Sequence, residues 1–244
     1  MSFSCKNIDC SAPDNKKGKI YPVTMECPFC DIPLTEVSTI SEAHIELIKG
    51  LPYLIAYPLK RTFLEKDPLR KIHFFKDTFL NYLKYLGLIV GSEFFNNSIK
   101  SRKMVDLFYN TLTETTFGNW NRFIRETLSF LNERQYPYFC PDLNEYYYAV
   151  QIDKKCKLYK IEIETEDANG ETKISYKKLT GIDSLINFRN RYLGHQQTLD
   201  NSTYEELWEQ YFPIFEDLLK GMTFCSNYLM IKTEHGETYS LHSD

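Results

Sequence analysis

"PLRKIHFFKDTFLNYLKYLGLIVGSEFFNN", residues 68–97, decides the fold class. Asp67 followed by Pro68 is a helix start, a carboxylate cap and then a residue that needs no N–H in the first turn. Behind it, apolar side chains recur at Ile72, Phe75, Phe79, Leu83, Leu86 and Val90. Spacings of three and four are the period of a helix, not of a strand. Phe74, Tyr82, Tyr85 and Ile89 widen the stripe, so this helix is expected to be central and buried on more than one side. The class that follows is mainly α, a helical bundle.

The flanks extend the bundle. Upstream, "SEAHIELIKGL" (41–51) offers Ser41 as a cap and Gly50 as a stop. Between the two helices the chain is punctuated by Pro52, Pro58 and Pro68. Downstream, "SRKMVDLFYNTLTE" (101–114) brings Met104, Leu107, Phe108 and Leu112 inward. A "TTFGNW" link leads to "NRFIRETLSFLNERQY" (121–136), with Phe123, Ile124, Leu128 and Leu131 as its apolar row. From about 140 to 180 the pattern becomes strand-like. It alternates around Tyr159, Ile161 and Ile163, turns at Asn169-Gly170, and returns through Ile174 and Tyr176, which predicts a β-hairpin inserted between helices. Helices resume over 182–193 and in "STYEELWEQYFPIFEDLLKGM" (202–222), with Ser202 or Thr203 as cap. The tail, 226–244, reads as a strand, a His235-Gly236 turn and a returning strand. It is expected either to close the domain or to begin a further domain.

Four of the seven cysteines fall in the first 30 residues: Cys5, Cys10, Cys27 and Cys30, spaced C-x4-C-x16-C-x2-C. Two short-spaced pairs supply the four soft ligands that tetrahedral zinc takes, and four thiolates leave no position open for chemistry. Disulfides are the competing reading. The start, "MSFSCKNIDCSAPDNKKGK", lacks the apolar core of a secretory signal, so a cytoplasmic, reducing address is expected and zinc is favoured. Residues 1–36 then form a zinc ribbon preceding a body over 37–225, the ribbon either binding nucleic acid or protein or bracing its neighbour. Cys140, Cys156 and Cys225 are scattered and read as small buried hydrophobes.

A formal net charge of −4 argues against coating nucleic acid by bulk electrostatics and leaves room for a local basic site. Lys60, Arg61, Lys66, Arg70, Lys71 and Lys76 are such a concentration, or simply a solvated helix face. No run of about 18 apolar residues predicts a membrane span. Neither a phosphate-cradling P-loop nor a dinucleotide fingerprint is present. His44, His73, His235 and His242 form no close ligand pair.

"NFRNRYLGHQQT", 187–198, poses the functional question. With Leu185, Phe188 and Tyr192 facing the core, Arg189 and Asn190 sit on the flanks, and Gly194 ends the helix just before His195. Cations there complement a helix dipole. Alternatively, Arg189 and His195 converge on one cleft.

These residues resemble the signature of the HEPN superfamily, an Arg followed by a polar residue and, after a short spacer, a His. "FFKDTFLNYLKYLGLIV" and "FGNWNRFIRETL" are similar to helices of prokaryotic members, and the likeness covers roughly residues 50 to 220. The ribbon and the hairpin lie outside the common bundle. The resemblance implies a homodimer whose two motifs meet in one composite site, and metal-independent RNA cleavage by ribose 2′-hydroxyl attack. It also implies frequent fusion to further domains, including those of antiviral defence proteins. In that setting His195 moves protons, Arg189 pairs phosphate oxygens, and Asn190 orients the histidine or holds the phosphate. Two departures stand out: Gln197 replaces the tyrosine of one toxin subtype, and Arg191 is placed to substitute for or crowd Arg189. The alternatives are an inactive dimerisation or nucleotide- or partner-binding module on the same fold, and a zinc-ribbon nucleic-acid-binding protein.

Overall fold

In the computed structural model of the chain, the described residues are 2–5, 7, 9–11, 26–32, 35–37, 40–97, 101–166, 172–194, 199–226, 231–234 and 237–240. Their order is β1 (Ser2–Ser4), β2 (Thr35–Val37), α1 (Glu42–Lys49), α2 (Tyr53–Leu64), α3 (Pro68–Asn96), α4 (Arg102–Thr113), α5 (Phe117–Glu133) and α6 (Pro141–Tyr147). Then follow β3 (Tyr159–Glu166), β4 (Thr172–Leu179), α7 (Gly181–Phe188), α8 (Asn201–Lys220), β5 (Ile231–Glu234) and β6 (Glu237–Ser240). The fold is mainly helical. The described strands pair only as antiparallel ladders of two, β1 with β2, β3 with β4, and β5 with β6.

Helix α3 is the axis, as its sequence predicts. Asp67 caps it by accepting the Arg70 N–H at 2.8 Å, with Pro68 in the first turn. It packs against α2, α5 and α8, and its stripe from Ile72 to Val90 is buried. The core is aromatic. Phe75 meets Phe188 of α7 at 5.6 Å and Phe215 of α8 at 5.7 Å, while Phe79 meets Phe117 of α5 at 5.2 Å. Two phenols inside this core are hydrogen-bonded to each other. The Tyr146 hydroxyl on α6 donates to the Leu218 carbonyl at 2.8 Å, so the contact at 2.7 Å between the Tyr82 and Tyr146 hydroxyls has Tyr82 as donor. Burial, the largest influence on both phenols, pushes their pKa up and keeps them neutral donors.

Several elements differ from the sequence reading for identifiable reasons. The proline-punctuated stretch is helix α2, with Pro58 inside it. Proline has no N–H to give the carbonyl four residues back. That carbonyl, of Leu54, instead accepts from Asn81 Nδ2 of α3 at 3.1 Å, so tertiary contact repairs the break. On α4, Met104 is buried, but Leu112 is 42% exposed and Thr111 takes the inward place. The Thr111 hydroxyl satisfies itself on the Leu107 carbonyl at 2.8 Å. Helix α5 begins at Phe117 with Thr116 as cap, so most of the expected link is its first turn.

The expected strand character from residue 140 is also corrected. Residues Pro141–Tyr147 are helix α6, extended by a π-helical turn over Tyr148–Ile152. The buried Glu93 carboxylate accepts the N–H of Phe139 at 2.9 Å and of Cys140 at 2.5 Å, fixing the start of α6. The hairpin proper is β3–β4, from Tyr159 opposite Leu179 to Glu166 opposite Thr172. Its expected Asn169-Gly170 turn lies outside the described residues. Ile161 is buried against the bundle, whereas Ile174 and Tyr176 face outward. Asp200, not Ser202 or Thr203, caps α8, accepting from the Thr203 N–H at 2.8 Å and the Ser202 hydroxyl at 2.7 Å. In the tail, β5 and β6 pair with Glu234 opposite Glu237. The His235-Gly236 turn between them is again outside the described residues. Among those residues no helix is long and apolar enough to cross a membrane.

One glycine sets the closest helix approach. A Cβ built on Gly87 of α3 would lie 2.4 Å and 2.6 Å from the Trp120 ring of α5, which is itself buried. Alanine is the better helix former by about 1 kcal/mol. Gly87→Ala is nevertheless expected to destabilise the fold, by about 1–3 kcal/mol, because the buried indole must move. A lower urea midpoint with unchanged slope is the expected result; an equal or higher midpoint contradicts the close α3–α5 packing.

Candidate functional site

Helix α7 positions the Arg–Asn pair. Its N-cap, Thr180, accepts the Asp183 N–H at 3.2 Å. Its inner face, Ile182, Leu185 and Phe188, is buried, with Phe188 stacked at a tilt 4.6 Å from Tyr211 of α8. Immediately after Phe188 the helix widens into a π-helical turn over Arg189–Leu193. Such widenings carry an extra residue in the turn and occur frequently at functional sites. Tyr192 still packs inward, 6.2 Å from Phe188 and 6.3 Å from Tyr211. Gly194 follows with a right-handed backbone, φ −86°. The sequence suggested glycine as a helix terminator. The structural reason is proximity, since a Cβ there would stand 2.7 Å from the Asn190 carbonyl oxygen.

The two arginines of the turn have separate fates. Arg189 is half-exposed, and its Nη1 donates to Asn190 Oδ1 at 3.1 Å. Its guanidinium carbon lies 5.9 Å from the Phe117 ring centre, and among the described residues it has no carboxylate partner. Arg191 is tied down, donating from Nη1 to the Glu162 carbonyl of β3 at 2.6 Å and lying 5.0 Å over the Tyr192 ring. It pins the hairpin to the end of α7. Asn190 is exposed, with its side-chain oxygen engaged by Arg189. His195 lies outside the described residues, as does Gln197. The pair Arg189–Asn190 is therefore brought together, and the position of His195 relative to them is not described.

Phe117, under Arg189, and the Glu162 carbonyl, which engages Arg191, carry no signal in the sequence. Each is remote along the chain and one is a main-chain atom. A shallow cleft of about 450 Å³ between α4 and α5, lined by Arg102, Lys103, Arg122 and Glu126 among others, does not include Arg189. Its charges are mutually paired, with Glu126 2.7 Å from Arg122 and 3.4 Å from Lys103. The Arg122 contact leads in holding the Glu126 carboxyl below its usual range.

The second candidate site is the cysteine cluster. Cys5, Cys10, Cys27 and Cys30 bring four Sγ atoms within 4.8 Å of one another, a group that could hold a metal ion. Cys5 and Cys30 are 3.6 Å apart and Cys10 and Cys27 3.7 Å. A disulfide would require about 2.05 Å, whereas thiolates at about 2.3 Å from a tetrahedral zinc stand about 3.8 Å from each other. The donor set and its spacing therefore fit a metal. The turn that builds half of it is local: the Cys30 and Asp31 N–H groups donate to the Cys27 carbonyl at 3.3 and 2.9 Å. Asp31 takes a left-handed φ of 55° to close that turn. The Ile32 backbone N–H, followed by the Asn7 side chain, draws the Cys30 thiol down to about 7.

Comparison of the chain with protein-family models, curated proteins and solved structures gives no match.

Proposed function

We propose that the chain is a metal-independent endoribonuclease of the HEPN type, acting as a homodimer that assembles two Arg189–Asn190–His195 sets into one site. The observation that carries this reading is the state of Arg189: a half-exposed guanidinium on a π-helical turn, without a carboxylate partner among the described residues, linked to Asn190 while Arg191 is committed elsewhere. A cation at a helix end complements the dipole whether or not it bonds a carbonyl. What supports a ligand role is that the described side-chain contacts of Arg189 are to Asn190 and the Phe117 ring rather than to a carboxylate.

The chemistry follows from the residue types. His195 takes the proton of the ribose 2′-hydroxyl, whose oxygen attacks the adjacent phosphorus. The bond from phosphorus to the 5′-oxygen breaks, and that oxygen takes a proton from the partner histidine of the composite site. The products are a 2′,3′-cyclic phosphate and a 5′-hydroxyl. Arg189 pairs with the non-bridging oxygens, where charge builds in the transition state. Asn190 Oδ1 holds the guanidinium in place for that contact.

The four-cysteine cluster belongs to this reading as a structural zinc centre in an N-terminal ribbon, in a compartment that keeps its thiols reduced. Zinc there would supply folding energy and no catalytic position. The test of the function is cleavage of a mixed-sequence RNA by wild type, Arg189→Ala and His195→Ala proteins. Cleavage by wild type alone supports the reading. Equal cleavage by all three removes it, and absence of cleavage leaves a binding or dimerisation module on the same residues.

A further inference from the structure

Helix α2 has a face that the bundle leaves uncovered. Ile55, Ala56, Leu59 and Thr62 are buried, whereas Tyr53, Tyr57, Lys60 and Arg61 point outward. Positions 53, 57 and 61 are successive i,i+4 neighbours and form one row along the helix. Tyr53 and Tyr57 are 48% and 50% exposed, and their rings lie 5.5 Å apart with an interplanar angle of 25°. The guanidinium carbon of Arg61 sits 4.2 Å over the Phe74 ring of α3 and 6.0 Å from the Tyr57 ring. Among the described residues neither Lys60 nor Arg61 has a carboxylate partner, and neither tyrosine hydroxyl has a hydrogen bond. Residues 47–64 contain no Asp or Glu, in a chain that has 33 of them. A strip free of negative charge on a net acidic protein is the local basic site that bulk charge leaves room for.

Scattered exposed tyrosines are ordinary. What sets these apart is their order: two near-parallel rings in a row, then a cation held flat by aromatic support, with a second cation beside it. The row is also stiffened. Asn81 of α3 donates to the Leu54 carbonyl, so the first turn of α2 is held despite Pro58. Aromatic faces in series with cations alongside are the chemistry that holds single-stranded nucleic acid, bases on the rings and phosphates on the charges. Tyr and Arg are also frequent at protein interfaces, but such interfaces deplete lysine and centre on a buried apolar patch. This row instead carries two cations that have no carboxylate partner among the described residues.

We infer that the Tyr53–Tyr57–Arg61 row of α2 binds single-stranded RNA, with bases stacked on the two tyrosines and the backbone phosphate on Arg61 and Lys60. The choice of RNA rests on the ribonuclease reading; the stacking row does not.

The test is fluorescence anisotropy with a labelled oligouridylate of about 12 nucleotides, using full-length protein in an Arg189→Ala background so that the probe stays intact. Far-ultraviolet circular dichroism checks the fold of every variant. Tyr53→Ala with Tyr57→Ala is expected to raise Kd by about tenfold or more. Tyr53→Phe with Tyr57→Phe keeps the rings and is expected to bind as the background protein does. Arg61→Gln is expected to weaken binding and to lower the slope of log K against log salt by about 0.7. Unchanged binding by the folded alanine pair overturns the inference. So does an equal loss in the phenylalanine pair. No binding by the background protein also overturns it, and would turn attention to a protein partner. If wild type cleaves RNA while the alanine pair binds normally, this inference fails and the ribonuclease reading stands. If the row binds and wild type does not cleave, the reverse holds.

Discussion

Arg189→Ala is expected to lower the rate of RNA cleavage by about 10²- to 10³-fold, the loss typical of removing one charge-stabilising donor from a transition state. The fold should barely notice. The side chain is half-exposed, its described hydrogen bond is to the neighbouring exposed Asn190, and the nearest ring, Phe117, is 5.9 Å away. A surface change of that kind moves stability by no more than about 0.5 kcal/mol. On the proposed mechanism the loss should fall on kcat more than on KM, because the non-bridging oxygens, already negative in the diester, gain further charge as the bond to phosphorus forms. Arg189→Lys should recover a part of the rate, since a point charge remains but the two-pronged contact does not. Arg191→Ala provides the contrast. It releases the Glu162 carbonyl at the junction of β3 and α7, so its effect should appear as lower stability with cleavage largely retained. Equal rates for Arg189→Ala and wild type would show that Arg189 plays no part in chemistry.

Cys27→Ser is expected to release the metal. Cys27 is the most buried of the four cluster cysteines, its Sγ 3.7 Å from that of Cys10, and its carbonyl anchors the turn that carries Cys30. Metal binding in small zinc modules contributes about 10–16 kcal/mol, far more than the small apolar cluster around Cys27, with Cys5, Cys10, Phe29 and Cys30, can provide. The wild-type chain should therefore carry about one zinc by atomic absorption, and the serine variant well below that. Limited proteolysis should then cut within the first 36 residues, while the thermal unfolding of the helical body is unchanged. A serine variant that retains zinc at the wild-type level would rule out the four-thiolate site. Because four thiolates leave the metal no open position, the variant should still cleave RNA.

How much of this was legible in the sequence varied by element, and the variation has a physical pattern. Helix α3 could be read because its signals agree: cap, proline and a stripe of period 3.6 all point to one helix. The cysteine cluster could be read because ligand spacing is local and metal geometry is narrow. Helix α2 could not, because the group that repairs Pro58 is Asn81, on another helix. The stretch around Tyr146, Tyr147 and Tyr148 resembles a strand by composition, yet its helical start is fixed by Glu93 from α3. Leu112 and Thr111 exchange expected places because a threonine hydroxyl can bond its own helix and so be buried. At the site, Arg189 and Asn190 stood out as a motif, but the different role of Arg191 did not, because its partner is a main-chain oxygen on the hairpin. The basic concentration around Lys60 and Arg61 was visible as charge. Its alignment with Tyr53 and Tyr57 emerges only once α2 is known to be a helix.

The most direct measurement is the chemical end left by wild-type protein on a mixed-sequence RNA incubated with EDTA, with the Cys27→Ser variant alongside to separate loss of the structural metal from loss of a catalytic one. The HEPN mechanism requires cleavage by both proteins, with 2′,3′-cyclic phosphate on one fragment and a 5′-hydroxyl on the other, and none by His195→Ala. Cleavage that requires an added divalent cation and leaves 5′-phosphate ends, or that survives in His195→Ala, would contradict it.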